Sequence, residues 1–135
     1  MYTSTPIDSR SYRSVHVKWA LMNRKAQTLE RRIERIKAKL ASLGELRPGN
    51  LSEQYNVCGK PACRCKADPP QRHGPYYQLG WTRHGKSTTR FVRRSELADA
   101  RRQLKNYAGL QSLVEEWVDL SIELCELKRA EARKA

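Results

Sequence analysis

Cys58-Gly-Lys-Pro-Ala-Cys63-Arg-Cys65 and, eight residues further on, His73-Gly-Pro-Tyr-Tyr77 concentrate three of the four cysteines and one of the three histidines. A structural zinc ion takes four such ligands in a tetrahedron, and Cys3His is one of the standard sets. The spacing therefore predicts that Cys58, Cys63, Cys65 and His73 hold a structural Zn2+. Gly59 and Pro61 let the chain turn tightly between ligands, and Pro69-Pro70 with Gly74-Pro75 place His73 on a stiff excursion. Lys60, Arg64 and Lys66 lie between the ligands and are expected to favour the thiolates electrostatically. No Cys-x-x-Cys pair is present, which argues against a redox centre. Cys63 and Cys65 are poorly spaced for a local disulfide. His84 falls in a turn and reads as solvent-facing. Cys125 falls on an apolar helix face and reads as a core residue.

The texture downstream of the cluster is that of strands. Tyr76-Tyr77-Gln78-Leu79-Gly80-Trp81-Thr82 and Thr88-Thr89-Arg90-Phe91-Val92 flank Arg83-His84-Gly85-Lys86, the pattern of a β-hairpin. A period of two puts Tyr77, Leu79 and Trp81 on one face, with Phe91 expected to meet them from the second strand. A third short strand is expected around residues 52–57. Such a module, over 46–94, is too small to bury a robust core without a staple.

Further outward the period changes. Met22, Ala26, Leu29, Ile33, Ile36, Leu40 and Leu43 alternate spacings of four and three, a heptad seam within a predicted coiled-coil helix over 15–45. Gly44 and Pro48-Gly49 end it. Leu110, Leu113, Trp117, Leu120, Leu124 and Leu127 form a second seam, in C-terminal helices over 95–135, with Ser95 as the expected N-cap; at Gly109 the path either breaks or kinks or runs on as one continuous helix, since a helical Gly costs only about 1 kcal/mol. Residues 1–14 carry no period and read as a mobile N-terminal arm. The first seam is flanked by Arg and Lys and the second by Glu and Asp, which favours pairing the two as an antiparallel hairpin. Val114, Val118 and Ile122 would stay uncovered, favouring a homodimer or a larger protein partner. The predicted fold is α+β, mainly α: two long heptad helices flanking a small zinc-stapled β-hairpin module.

The 135-residue chain carries 27 Lys+Arg against 14 Asp+Glu, a formal net charge of +13. The excess is uneven, with a net of +6 over 1–46, +9 over 47–105 and −2 over 106–135. A basic module calls for a polyanionic partner, and nucleic acid is the foremost class. Arg83, Lys86, Arg90, Arg93 and Arg94 lie on or beside the hairpin, Arg101, Arg102 and Lys105 on the following helix, and Arg64, Lys66 and Arg72 on the zinc loop. These eleven are the candidate contacts to nucleic acid. Tyr76, Tyr77 and Trp81 either form the hairpin's apolar face or stack on unpaired bases. No apolar run reaches membrane-spanning length, so no membrane role is expected. The N-terminal stretch lacks a basic region followed by an apolar one, so a cytoplasmic protein is expected. No carboxylate pair, Ser-His-Asp set or His-Glu-x-x-His motif is visible, so no enzyme is predicted.

The Cys/His stretch, its lead-in Leu46-Arg47-Pro48-Gly49-Asn50-Leu51 and the basic hairpin that follows resemble a family of small uncharacterised bacterial and archaeal domains. These show Leu-x-Pro-Gly-x-Leu, then Cys-Gly-Lys-Pro-x-Cys-x-Cys, then His-Gly-Pro-Tyr-Tyr. The resemblance covers about Leu46 to Leu127. It implies a zinc-binding Cys3His module at Cys58, Cys63, Cys65 and His73. The family's frequent mobile-element and transposase-like settings point towards DNA. The expected function is thus a zinc-stabilised, basic nucleic-acid-binding protein, with DNA favoured over RNA, acting as an accessory factor of a mobile element. The alternative is a coiled-coil interaction adaptor with a structural zinc module and no nucleic-acid role.

Overall fold

The computed structural model describes residues 24–134. The expected arm over 1–14 and the expected helical start over 15–23, with Met22, lie outside the described residues. Among the described residues the fold is two helices and a three-stranded antiparallel sheet, mainly helical. In chain order these are α1 (Arg24–Ser42), β1 (Asn50–Asn56), β2 (His73–Arg83), β3 (Lys86–Val92) and α2 (Leu97–Lys134). Short 3-10 turns sit at Arg64–Lys66 and Arg94–Glu96. The chain forms two compact units: α1 with residues 112–134, and residues 43–111.

In the helical unit the two seams meet. Leu29, Ile33 and Ile36 of α1 are buried with Leu120 of α2, and Leu40, Leu113, Trp117, Leu124 and Leu127 pack around them. The ion pairs Lys25–Glu123 (3.3 Å) and Arg32–Glu116 (3.7 Å) run in opposite residue order along the two helices, so the pair is antiparallel. Burying one Leu or Ile is worth about 1.5–3 kcal/mol, against about 0–1 kcal/mol for an exposed ion pair. Apolar burial therefore sets the strength of the pairing, and opposite charge helps to set its direction. Cys125 is exposed, contrary to the core position expected for it. The α1 seam covers the Leu stripe of α2, and the stripe with Val114, Val118 and Ile122 remains open.

In the second unit β2 is the central strand, paired with β1 on one side and β3 on the other. The β2–β3 connection is the two-residue turn His84-Gly85, with φ of 52° and 75°. Positive φ at both central residues is the type I′ geometry whose twist suits a hairpin. That turn pairs Arg83 with Lys86, and the register follows: Trp81 with Thr88, Leu79 with Arg90, Tyr77 with Val92. Phe91 therefore pairs with Gln78 and faces away from Leu79 and Trp81, and it is 69% exposed. The expected meeting of Phe91 with the apolar face does not occur. Leu79 lines a depression with Val92 of β3 and Ala100 of α2. Leu79, Leu97 and Ala100 are buried. The cations Arg47 and Arg90 lie over Trp81, at 4.8 and 5.9 Å from the ring centre.

The segment between α1 and β1 is fastened to α2 by polar contacts. Arg47 N–H donates to the Gln103 carbonyl (3.2 Å), and Asn106 Nδ2 donates to the Glu45 carbonyl (2.7 Å). The expected third strand is present, beginning two residues earlier than 52. Ser95 is not the cap of the following helix. The chain enters it through the 3-10 turn, where the Arg93 N–H donates to the Glu96 carboxylate and the Glu96 N–H to the Arg93 carbonyl, both at 2.9 Å. Gly109 neither breaks nor ends α2, which is continuous over 38 residues. A helical Gly costs about 1 kcal/mol, less than flanking packing supplies.

Truncating Leu120 to Ala is expected to cost about 2–5 kcal/mol, since it leaves a cavity in the seam. Arg35→Ala, at an exposed site on α1, is expected to stay within about 0.5 kcal/mol of the unmodified protein. Urea denaturation followed by helical circular dichroism measures both.

Candidate metal centre

The four cysteine and histidine ligands predicted from spacing come together. One ligand atom from each of Cys58, Cys63, Cys65 and His73 lies within 4.8 Å of the other three. Cys58 Sγ and Cys65 Sγ are 3.5 Å apart, and Cys63 Sγ is 3.2 Å from His73 Nε2. A tetrahedral ion with ligand bonds of about 2.0–2.3 Å would separate such atoms by roughly 3.5–3.8 Å. The cluster therefore fits a metal ion with shifts of up to about an ångström, and it offers the donor set of a closed site.

Local backbone geometry produces this convergence. Cys58 follows the end of β1, and His73 opens β2, opposite Asn56 in the register. Between them the chain doubles back twice. The Cys63 N–H donates to the Lys60 carbonyl (3.2 Å), closing the turn that contains Pro61. The Lys66 N–H donates to the Cys63 carbonyl (3.0 Å), winding the 3-10 turn that carries Cys65 inward. Cys65 is 2% exposed, among the most enclosed of the described residues. Cys58, Cys63 and His73 are half-buried. Gly74 allows β1 and β2 to close beside the cluster. Its φ is +142°, and a Cβ there would lie 2.7 Å from the Gln54 carbonyl oxygen and 2.9 Å from the Tyr55 ring. No L side chain fits that contact without displacing backbone.

The thiols are not equivalent. Hydrogen bonding, first from the Cys65 backbone N–H and then from the Cys58 and Cys65 thiols, with His73 contributing, brings Cys63 down to about 6. Burial pushes Cys65 up. A thiol lowered in this way supplies a thiolate near neutral pH, which is the form that binds metal. The causes are local hydrogen bonds, and not the charges of Lys60, Arg64 and Lys66 that the sequence suggested. Those three side chains are exposed.

The eleven predicted nucleic-acid contacts, Arg64, Lys66, Arg72, Arg83, Lys86, Arg90, Arg93, Arg94, Arg101, Arg102 and Lys105, are all exposed and all belong to the sheet-bearing unit. Among the described residues, Arg102 is the one of these with a carboxylate partner, Asp99 at 2.8 Å and Glu45 at 3.7 Å. Arg101 lies 5.8 Å over the Tyr77 ring. Tyr77 and Trp81 are half-buried on the face towards α2, as their alternation suggested. The cation stacked most closely on Trp81 is Arg47. It was missed because it sits in the lead-in loop, outside any strand pattern. His84 is exposed in the turn, as expected.

Replacing any one of Cys58, Cys63, Cys65 or His73 by Ala is expected to abolish tight binding of one Co2+ per chain and its thiolate-to-metal absorption band. Cys125→Ser and His84→Ala are expected to leave both intact. Titration of the reduced protein with Co2+ reads the difference.

No curated protein and no solved structure matches the chain. A family model described as "Domain of unknown function (DUF6788)" matches residues 26–102. That span takes in α1 from its third residue, the whole sheet, all four clustered ligands and the first residues of α2. It starts earlier and ends earlier than the Leu46–Leu127 stretch that the motif resemblance covers. With more than half of its length matched in this way, the chain belongs to the DUF6788 family.

Proposed function

We propose that this protein is a zinc-stabilised nucleic-acid-binding protein, with DNA favoured over RNA. The observation that carries this reading is the basic surface of the sheet-bearing unit. Eleven exposed Lys and Arg side chains come from the metal loop, the hairpin and the start of α2, in a segment of net +9. Exposed cations with few carboxylate partners are available to phosphates, and phosphate neutralisation with counterion release is the main sequence-independent source of affinity for nucleic acid. Arg83 and Lys86 stand at the tip of the hairpin, where a β-ribbon meets a groove.

Zinc is the proposed occupant of the cluster. Three thiolates and an imidazole suit a tetrahedral ion of intermediate softness. Four protein ligands complete that tetrahedron and leave no open position for substrate, which supports a structural role and a non-enzymatic protein. No helix among the described residues is long and apolar enough to cross a membrane. The narrower assignment, an accessory factor of a mobile element, is supported by the motif resemblance alone.

The open stripe of α2 supports assembly. Val114, Val118 and Ile122 are 40%, 49% and 58% exposed, and Cys125 continues the row. A contiguous apolar row on a helix marks an interaction surface. We propose that a second copy covers it, through the isologous contact that a straight self-complementary stripe favours. If a different protein covers it, the adaptor alternative gains ground.

Two measurements follow. Binding to generic duplex DNA is expected to weaken steeply with salt. Arg83→Ala and Lys86→Ala are each expected to flatten the slope of log K against log salt by about one. Binding that is absent at moderate salt contradicts the nucleic-acid role. In sedimentation, the unmodified chain is expected to run as a dimer and Ile122→Glu as a monomer of unchanged helicity. A monomer for both contradicts assembly through this stripe.

A further inference from the structure

The sheet has a second face, which no helix covers among the described residues. The register places Tyr76, Gln78 and Thr82 of β2 there, with Thr89 and Phe91 of β3 and Ser52 and Gln54 of β1. The side chain of Gln54 donates from Nε2 to Gln78 Oε1 across the strands. Two aromatic rings stand on this otherwise polar surface, Tyr76 at 45% and Phe91 at 69% exposure. An exposed Phe forgoes burial that the same strand could have supplied one position away, where Arg90 occupies the inward site. Tyr76 and Phe91 line one depression of about 300 Å³ together with Arg93 and Arg94, and it reaches round the strand ends to Pro75, Tyr77 and Val92. The register leaves no carboxylate on this face of the sheet.

We infer that this face binds unpaired bases of single-stranded nucleic acid, with Tyr76 and Phe91 as stacking surfaces and Arg93 and Arg94 on the adjoining phosphates. The inference rests on the nucleic-acid reading above and adds the strandedness of the ligand and the residues that select it. Three features favour this occupant. Flat rings stack on any base whose face is free, and in a duplex those faces are already covered. Two guanidinium groups line the depression with the rings, and guanidinium pairs readily with phosphate. Gln54, Gln78 and Thr89 offer donors and acceptors to base edges, and the absence of carboxylates keeps the surface open to an anion. The half-buried Tyr77 and Trp81, on the opposite face, are engaged by Arg101, Arg47 and Arg90 and are not the stacking residues.

The test uses the full metal-loaded chain and fluorescence anisotropy with three probes: a short labelled oligothymidylate, a duplex of mixed sequence, and heparin as a polyanion without bases. Phe91→Ala and Tyr76→Ala are each expected to weaken oligothymidylate binding about ten- to a hundredfold. Duplex and heparin binding are expected to stay within about twofold. Phe91→Trp is expected to retain single-strand affinity, which separates loss of a stacking surface from loss of fold. Both rings are exposed, so unchanged circular dichroism of the Ala variants is the accompanying control. If nucleic acid binds but the Ala variants hold oligothymidylate as tightly as the unmodified chain, or lose duplex and heparin to the same degree, the stacking face is overturned and the basic-surface reading survives. If the unmodified chain binds none of the three probes, both fall together.

Discussion

Three thiols and one imidazole meet at the junction of β1 and β2, and in the reading proposed above their closure by a metal ion is the constraint on which the sheet-bearing unit depends. Apart from the clustered Cys65, only Leu79, Leu97 and Ala100 among its described apolar residues are buried, too little to hold a three-stranded sheet and its connecting loop. The loop from Val57 to Arg72 has no strand and no apolar core of its own. Closing it by a metal ion at Cys58, Cys63, Cys65 and His73 would turn an entropic liability into a short rigid connection, because ion binding there is folding free energy. His73 pairs with Asn56, so the cluster lies at the end of the β1–β2 ladder.

The rest of the surface chemistry follows from that sheet. Its inner face is occupied by Leu79, Tyr77 and Trp81, with Arg47, Arg90 and Arg101 laid on the two larger rings. Guanidinium groups over aromatic faces cover apolar surface and keep their charge near water. Packing and positive potential are therefore supplied by the same side chains, and neither can be altered without the other. The helical unit uses a different division of labour. Its seam is apolar, its flanks are of opposite sign, and the ion pairs Lys25–Glu123 and Arg32–Glu116 lie on the exposed rim.

Much of this was legible in the residues. The spacing of Ala26, Leu29, Ile33 and Ile36 marked the buried stripe of α1, and the Leu series of α2 marked its partner. The four clustered ligands could be named from type and spacing because few residue types bind metal and here they crowd together. What failed involved competition between neighbouring options. Hydrophobicity alone points Phe91 inward, yet the two-residue turn at His84-Gly85 sets a pairing parity that sends Arg90 inward and Phe91 outward. That parity was available from the turn alone. Cys125 was assigned to the core because its stripe is apolar, but one partner helix covers only one stripe. Ser95 has the chemistry of a cap, and the Glu96 carboxylate reached the Arg93 N–H first. The lowering of Cys63 comes from hydrogen bonds of a folded turn, which no charge count along the chain can reveal.

Amide hydrogen exchange, measured on the zinc-loaded chain before and after a strong chelator under reducing conditions, tests the proposed structural role of the metal most directly. Removal of the ion is expected to abolish protection in β1 and in the first half of β2. Amides around Leu29, Ile33 and Ile36 of α1 are expected to keep theirs, because their packing partners lie in the other unit. Unchanged protection across β1 and β2 after the metal has been removed would contradict the dependence of the sheet on its Cys3His closure.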